Sequence, residues 1–298
     1  MSFRLRVIAF VLFGAVHAAG AAGDRGDVAE LEAALARYPG GGDIVLPALD
    51  TKELEALLNG EPVVRIETGR SGGGDDDEPV GDIGVVGFRV VDAPRLLVWL
   101  TVMGVASEPD VRLTRATLSR GDAGAYTRYQ HVNLPWPIRD RHWVVYCEKN
   151  LDVALASRDS FWEHRWRLVE DGLTLIDAAH QQGAITGLSA DELDKSIYLP
   201  ANRGAWALTE LDPGRTLVIA FFDGELGGFF PDALVRQFTK LHLREGLNLV
   251  SELSFTTWQE YSDDEPVHDG YGRAVRQHDV RQAALLLDAS NPPGGDSG

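Results

Sequence analysis

From Gly81 onward the chain reads as short apolar or alternating runs separated by turn signals, followed by one long amphipathic helix. Many strands and then a helix restrict the fold to an α+β class, in which an antiparallel sheet buries a face against its own helices. Residues 83–91 are apolar and β-branched, and Asp92-Ala93-Pro94 then opens a helix reaching about Met103. Further strands are expected at 111–120, 125–133, 142–151, 161–169, 173–180, 205–211 and 216–223. The turns between several of them are Gly121-Asp122, Asp171-Gly172 and Asp212-Pro213-Gly214. The long helix begins near Pro231-Asp232 and ends about Leu253, with Leu234, Phe238, Leu241 and Leu249 on its apolar face. A curved sheet wrapped around that helix grips it with one face, and the space left between them is expected to form an internal hydrophobic cavity.

The segment before this region divides into three. Arg4 and Arg6, the apolar run 7–16 and the small residues 18–23 have the organisation of a secretory leader. The apolar run is too short to span a bilayer as a helix. Export is therefore expected, with cleavage after Ala21 or Gly23. A helical appendage occupies 24–60, with helices at 28–38 and 52–59 divided by Gly40-Gly41-Gly42. Residues 61–68 alternate as a strand, and the acidic run 72–78 reads as a solvated loop, since its carboxylates lack the spacing of a calcium loop. Beyond Trp258 the tail is acidic and ends in Pro292-Pro293-Gly294-Gly295. We expect residues 259–298 to form an exposed extension with a helix at 274–287.

Charge and cysteine content exclude several classes. The chain has 28 Lys and Arg against 45 Asp and Glu, a formal charge of −17, and removing the two leader arginines takes it to −19. Such a chain is repelled by nucleic acid and by anionic membranes. Only transient membrane contact and a monomeric state are expected. Cys147 is the single cysteine, so no internal disulfide forms and stability must come from burial.

Two motifs carry a family resemblance. Leu134-Pro135-Trp136-Pro137-Ile138-Arg139-Asp140-Arg141-His142-Trp143-Val144 resembles the Pro-rich turn and following strand of the START (steroidogenic acute regulatory protein-related lipid transfer) family. The stretches 203–211, 214–218 and 223–231 resemble its closing strand pair, Gly-containing turn and last helix. The resemblance covers roughly 61–258. It implies a helix-grip fold, one internal hydrophobic site, and a gate made by a mobile loop, here 183–195, and the last helix. Steroid-binding members carry an interior arginine after the Pro-rich turn. Here that stretch reads Val145-Tyr146-Cys147, which argues against transferring a steroid specificity.

The residues themselves nominate a ligand wall. Trp143, Val145 and Cys147 share one side of their strand. On the next, Trp162, His164, Trp166 and Leu168 oppose Glu163, Arg165 and Arg167. Core packing accounts for the tryptophans nearly as well as a ligand does. His164 is expected foremost to be a hydrogen-bonded core histidine. On the last helix, His242 and Glu245 lie within the angular face of Leu234, Phe238, Leu241 and Leu249. The candidate ligand-binding set is Trp143, Val145, Trp162, His164, Trp166, Leu234, Phe238, Leu241, His242 and Glu245. There is no nucleophile elbow, zinc-binding His pair or phosphate-binding glycine loop, so neither catalytic residues nor a metal or cofactor are assigned. The leading reading is a carrier of one lipid or other hydrophobic small molecule. The alternatives are a cyclase- or hydrolase-like enzyme using His164 or His242, and a ligand-free interaction module.

Overall fold

The computed structural model describes residues 28–40, 45–68, 83–104, 113–134, 138–225, 227, 232–264 and 266–290. The leader, the acidic run 72–78 and Pro135-Trp136-Pro137 lie outside them. In chain order the elements are α1 (Val28–Ala36), α2 (Thr51–Leu58), β1 (Val63–Thr68), β2 (Ile83–Val91), α3 (Arg95–Val102), β3 (Leu113–Arg120), β4 (Tyr126–Val132), β5 (Arg141–Lys149), α4 (Leu151–Ala156) and β6 (Phe161–Leu168). These are followed by α5 (Gly172–Gln181), α6 (Ala190–Lys195), β7 (Ile197–Tyr198), β8 (Ala201–Asp212), β9 (Arg215–Glu225), α7 (Asp232–Leu253) and α8 (Gln277–Ser290). One sheet runs β1-β2-β9-β8-β6-β5-β4-β3 with antiparallel neighbours, while β7 adds a short parallel pairing to β5. The α+β class and antiparallel meander expected from the sequence are therefore present.

Strand alternation sorts the side chains onto two covered faces. On the outer face, Leu31 of α1 with Leu54 and Leu57 of α2 pack on Val86, Phe88, Ile219 and Phe221. The start of α2 is fixed by a capping box, Asp50 accepting from the Glu53 amide while the Glu53 carboxylate accepts from the Asp50 amide. Further along that face, Ile176 and Ala179 of α5 and Leu193 of α6 cover Tyr129 and Val144. On the inner face, Trp99 and Val98 of α3, with Leu247 and Val250 of α7, pack on Trp162, Leu208, Val218 and Ala220. The long helix lies closest at Gly87, where a Cβ would stand 2.7 Å from Leu247 Cδ1 and 3.0 Å from Leu243 Cδ2. Helix and strand meet there because the side chain is missing.

Several expectations need correction. Residues 173–180 form a helix instead of a strand: the buried Ile176 and Ala179 are three apart, and Gly183, at φ +71°, follows the helix end. The stretch 183–195 contains α6 and packs on the outer face through Ile185 and Leu193, away from the inner wall. Finally, α7 presents a different stripe from the expected one. Leu247, Val250 and Ser254 are buried, whereas Leu241 is 51% and Leu249 41% exposed, and His242 and Glu245 also face outward. Ser254 completes the stripe because its hydroxyl donates to the Val250 carbonyl at 2.6 Å. The side chains of Leu234 and Phe238 lie outside the described residues.

The tail beyond Trp258, expected as an exposed extension, instead packs as part of the body in its described residues. Tyr261, Val275, Val280 and Ala284 enclose Leu97 and Leu100 on the side of α3 turned away from the sheet. Its loop reaches the sheet as well: Gly270 sits against Trp162, and the His268 carbonyl accepts from Trp99 Nε1 at 2.8 Å.

Candidate functional site

Cross-strand register shows which residues share the inner wall, because directly paired residues point to the same face. Trp162 pairs with Leu208, Trp166 with Cys147, Lys149 with His164, Tyr126 with Cys147, Arg128 with Val145 and Gln130 with Trp143. The principal contacts of α7 among the described residues are with β1, β2 and β9, and those of α3 with the sheet are on β8 and β9. Trp99 of α3 also reaches β6 at Trp162 and His164, and among the described residues the inner wall of β4, β5 and the Trp166 end of β6 lies beyond these contacts. There Trp143, Trp166, Tyr126, Arg128 and Gln130 are half-buried, flanking the buried Val145 and Cys147.

Each sequence-nominated residue has a definite place. Trp143 donates through Nε1 to Gln130 Oε1 at 3.0 Å, and Trp166 donates to Asn202 Oδ1 at 2.9 Å. Trp166 lies flat over Gly204, where a Cβ would come within 2.2 Å of its Cζ2. Trp162 is core: it meets Trp99 edge-on at 5.5 Å, carries the Arg95 guanidinium 4.1 Å above its ring, and donates to Asp159 Oδ1 at 2.7 Å. Trp143, Val145, Trp162, His164 and Trp166 thus occupy one face. Leu241, His242 and Glu245 do not join them.

His164 is also built into the core. Its ring stacks on Tyr126 at 5.9 Å, lies edge-on to Trp99 at 6.5 Å, and its Nε2 is 3.3 Å from the Tyr126 hydroxyl. Burial lowers its pKa to about 3, reinforced by the cations Lys149 and Arg128. A ring this hard to protonate does not serve as a general acid near neutral pH. Burial lowers the Lys149 ammonium to about 8 and raises the Cys147 thiol to about 11.

The residues that sequence reasoning missed are Tyr126, Arg128, Lys149, Asn202 and Trp99. A signal for the first two was present, since Tyr126, Arg128 and Gln130 alternate along 125–133. Their face follows only from the register with β5.

On the outer face lies a pair of buried histidines. His131 and His142 are cross-strand partners, and both Nδ1 atoms lack a hydrogen bond among the described residues. His131 Nε2 is 3.1 Å from Ser196 Oγ and 3.8 Å from Asp140 Oδ2. Serine and carboxylate thus address the same ring nitrogen, so this trio lacks the relay geometry of a nucleophilic triad. Burial and then the neighbouring His131 lower His142 to about 4. Both His142 and His164 have folded values below the ordinary value near 6.5. Their contribution to stability is therefore fully present above pH 6.5 and declines as pH falls, until about 4 for His142 and about 3 for His164. Within that window each buried histidine steepens the loss by up to about 1.4 kcal/mol per pH unit. Chemical denaturation from pH 7 to 4 should show this slope, and His142→Gln should remove about one proton's worth of it. An unchanged slope in the variant would refute the assignment.

A cleft of about 410 Å³ lies near the start of α3, lined by Arg37, Arg95, Arg158, Asp159, Glu210 and Asp212 among others. Its charged lining separates it from the aromatic wall. No group of metal-ligating side chains occurs among the described residues, and none of their helices is long and apolar enough to cross a membrane.

No family model matches the sequence, and no curated protein does. Solved structures with a similar arrangement include human StAR-related lipid transfer protein 5, at 15% identity and TM-score 0.47 over 76% of this chain and 92% of that one. A StAR-related lipid transfer protein fragment from Xanthomonas axonopodis is 16% identical, with TM-score 0.41 over 63% and 98%. The Zhui aromatase/cyclase from Streptomyces is 17% identical, with TM-score 0.36 over 57% and 92%. These are likenesses of architecture alone.

Proposed function

We propose that this chain is an exported carrier that holds one hydrophobic ligand non-covalently against the inner wall of β4, β5 and β6. The observation that carries the reading is the aromatic surface beyond the described contacts of α3 and α7, where Trp143 and Trp166 are half-buried around Val145 and Cys147. Half-buried indole rings on a concave, otherwise packed face offer apolar area to an aliphatic or ring-bearing ligand. The low pKa of His164 and the outward position of His242 leave the enzyme reading without its named acid or base. Export rests on the leader.

The expected result is a stoichiometric hydrophobic compound in the solvent extract of protein purified from its native host. Mass spectrometry should recover it unchanged after prolonged incubation. Adding it back to stripped protein should raise the melting temperature, because a ligand bound only to the folded state stabilises it. At a ligand concentration one hundred times Kd the gain is about 2.7 kcal/mol. The same sample should have a polypeptide mass starting at Ala22 or Asp24. An empty extract with no ligand-dependent shift overturns the carrier, a transformed compound favours the enzyme, and an intact leader overturns export.

A further inference from the structure

The ion pairs of the sheet are unevenly distributed. On the outer face Arg165 and Arg167 both reach Glu148, at 2.9 and 3.1 Å. Elsewhere Arg203 pairs with Asp223, Arg65 with Glu53, and Arg215 with Asp212 and Glu30. Three half-buried inner-face cations among the described residues depart from that pattern: Arg89, which donates to the neutral Asn248 side chain, and two that lie together on the wall of β4 and β5. Arg128 and Lys149 have no ion pair among the described residues, and Lys149 Nζ donates only to the Gly124 carbonyl, at 2.8 Å. In a chain with 45 acidic against 28 basic residues, carboxylates are plentiful, so two half-buried cations left unmatched on one wall are conspicuous.

Their placement is specific. Tyr126 and Cys147 are cross-strand partners. Arg128 lies two residues along β4 from Tyr126, and Lys149 two residues along β5 from Cys147, so all four side chains point inward. The Arg128 guanidinium carbon is 4.6 Å and Lys149 Nζ 5.9 Å from the centre of the Tyr126 ring. The apolar wall of Trp143, Val145 and Trp166 continues from this point. We infer that the ligand is a single aliphatic chain ending in an oxyanion, with the oxyanion held by Arg128 and Lys149 and the chain lying along Trp143 and Trp166. This rests on the carrier reading and adds the chemistry of the head. Burial and the neighbouring Arg128 disfavour the Lys149 charge, and an oxyanion beside the two cations offsets both costs. Guanidinium and ammonium donors together fit a compact anion beside the Tyr126 ring, and the direct pairing of Arg128 with Val145 sets that polar end against the start of the hydrocarbon wall.

Titration of the full chain with oleate, oleoyl lysophosphatidate and oleyl alcohol, each below its aggregation concentration, tests this inference. A hydrogen bond to a charged group is worth about 1.5–3 kcal/mol, so oleate should bind at least about tenfold tighter than oleyl alcohol. Arg128→Gln with Lys149→Gln should erase that preference by weakening oleate and lysophosphatidate far more than the alcohol. Arg128→Lys should retain most of it. Raising the salt concentration on the parent protein should narrow the gap without any substitution, which keeps the test valid if the double variant folds poorly. Oleate and lysophosphatidate distinguish a free carboxylate from a phosphate headgroup as the source of the oxyanion, and a preference for either over the alcohol supports the inference. If oleyl alcohol binds as tightly as both anions, the oxyanion is overturned and the carrier stands. Binding by none of the three overturns both.

Discussion

Ending the chain at Glu260 is expected to abolish cooperative folding. The residues removed include Tyr261, Val275, Val280 and Ala284, which keep Leu97 and Leu100 fully buried on the far side of α3. Re-exposing two leucines costs about 3–6 kcal/mol, a large share of the roughly 5–15 kcal/mol that holds a domain together. The truncation also removes the carbonyl that receives the Trp99 indole and the backbone packed against Trp162. Circular dichroism with a thermal ramp reads the outcome. The expected trace is broad and shallow, with protein lost to aggregation. A truncated chain melting sharply within a few degrees of the parent would show that the tail is dispensable.

Trp99→Ala should be the most damaging single truncation. The side chain is fully buried, touches Trp162 and His164 edge-on, and ties α3 to the tail through its indole hydrogen bond. Removing a buried tryptophan costs about 3–5 kcal/mol, which corresponds to roughly 10 °C in Tm for a domain of this size. Trp99→Phe keeps most of the packing and loses only the indole hydrogen bond, so its loss should be less than half as large. Equal melting temperatures for the two variants would mean that the hydrogen bond, and not the packing, secures this junction.

Much of this architecture was legible in the sequence, because strict alternation leaves little freedom. Residues 161–168 separate Trp162, His164 and Trp166 from Glu163 and Arg165, and the structure places the two sets on opposite faces. The strand reading of 173–180 failed because Leu173-Thr174-Leu175-Ile176 has strand-like content. The helix-ending Gly183 and the three-residue spacing of Ile176 and Ala179 were the competing signal. The orientation of α7 was illegible for another reason. The helix carries two leucine stripes, and the one containing Leu243 and Leu247 wins because Gly87 leaves a flat place on β2 for it. A missing side chain more than a hundred residues earlier decides which stripe is buried, and no periodicity within the helix contains that information. The pairing of Lys149 with His164 was hidden similarly, since it depends on strand register.

The pairing of β2 with β9 also constrains how the molecule comes into being. Gly84 meets Asp223 and Val91 meets Thr216, so the second strand made is completed by the last. A chain emerging from its N-terminus carries β1 and β2 as a two-stranded hairpin, too small to be stable alone, while the intervening residues appear. Closing so large a loop precedes the reward of its contacts and slows assembly. The apolar edge around Val85 and Val86 therefore waits through most of synthesis, open to chaperones and to wrong partners alike. Only when β9, α7 and the tail arrive does the native state become available, and a chain released early has no folded form to fall back on.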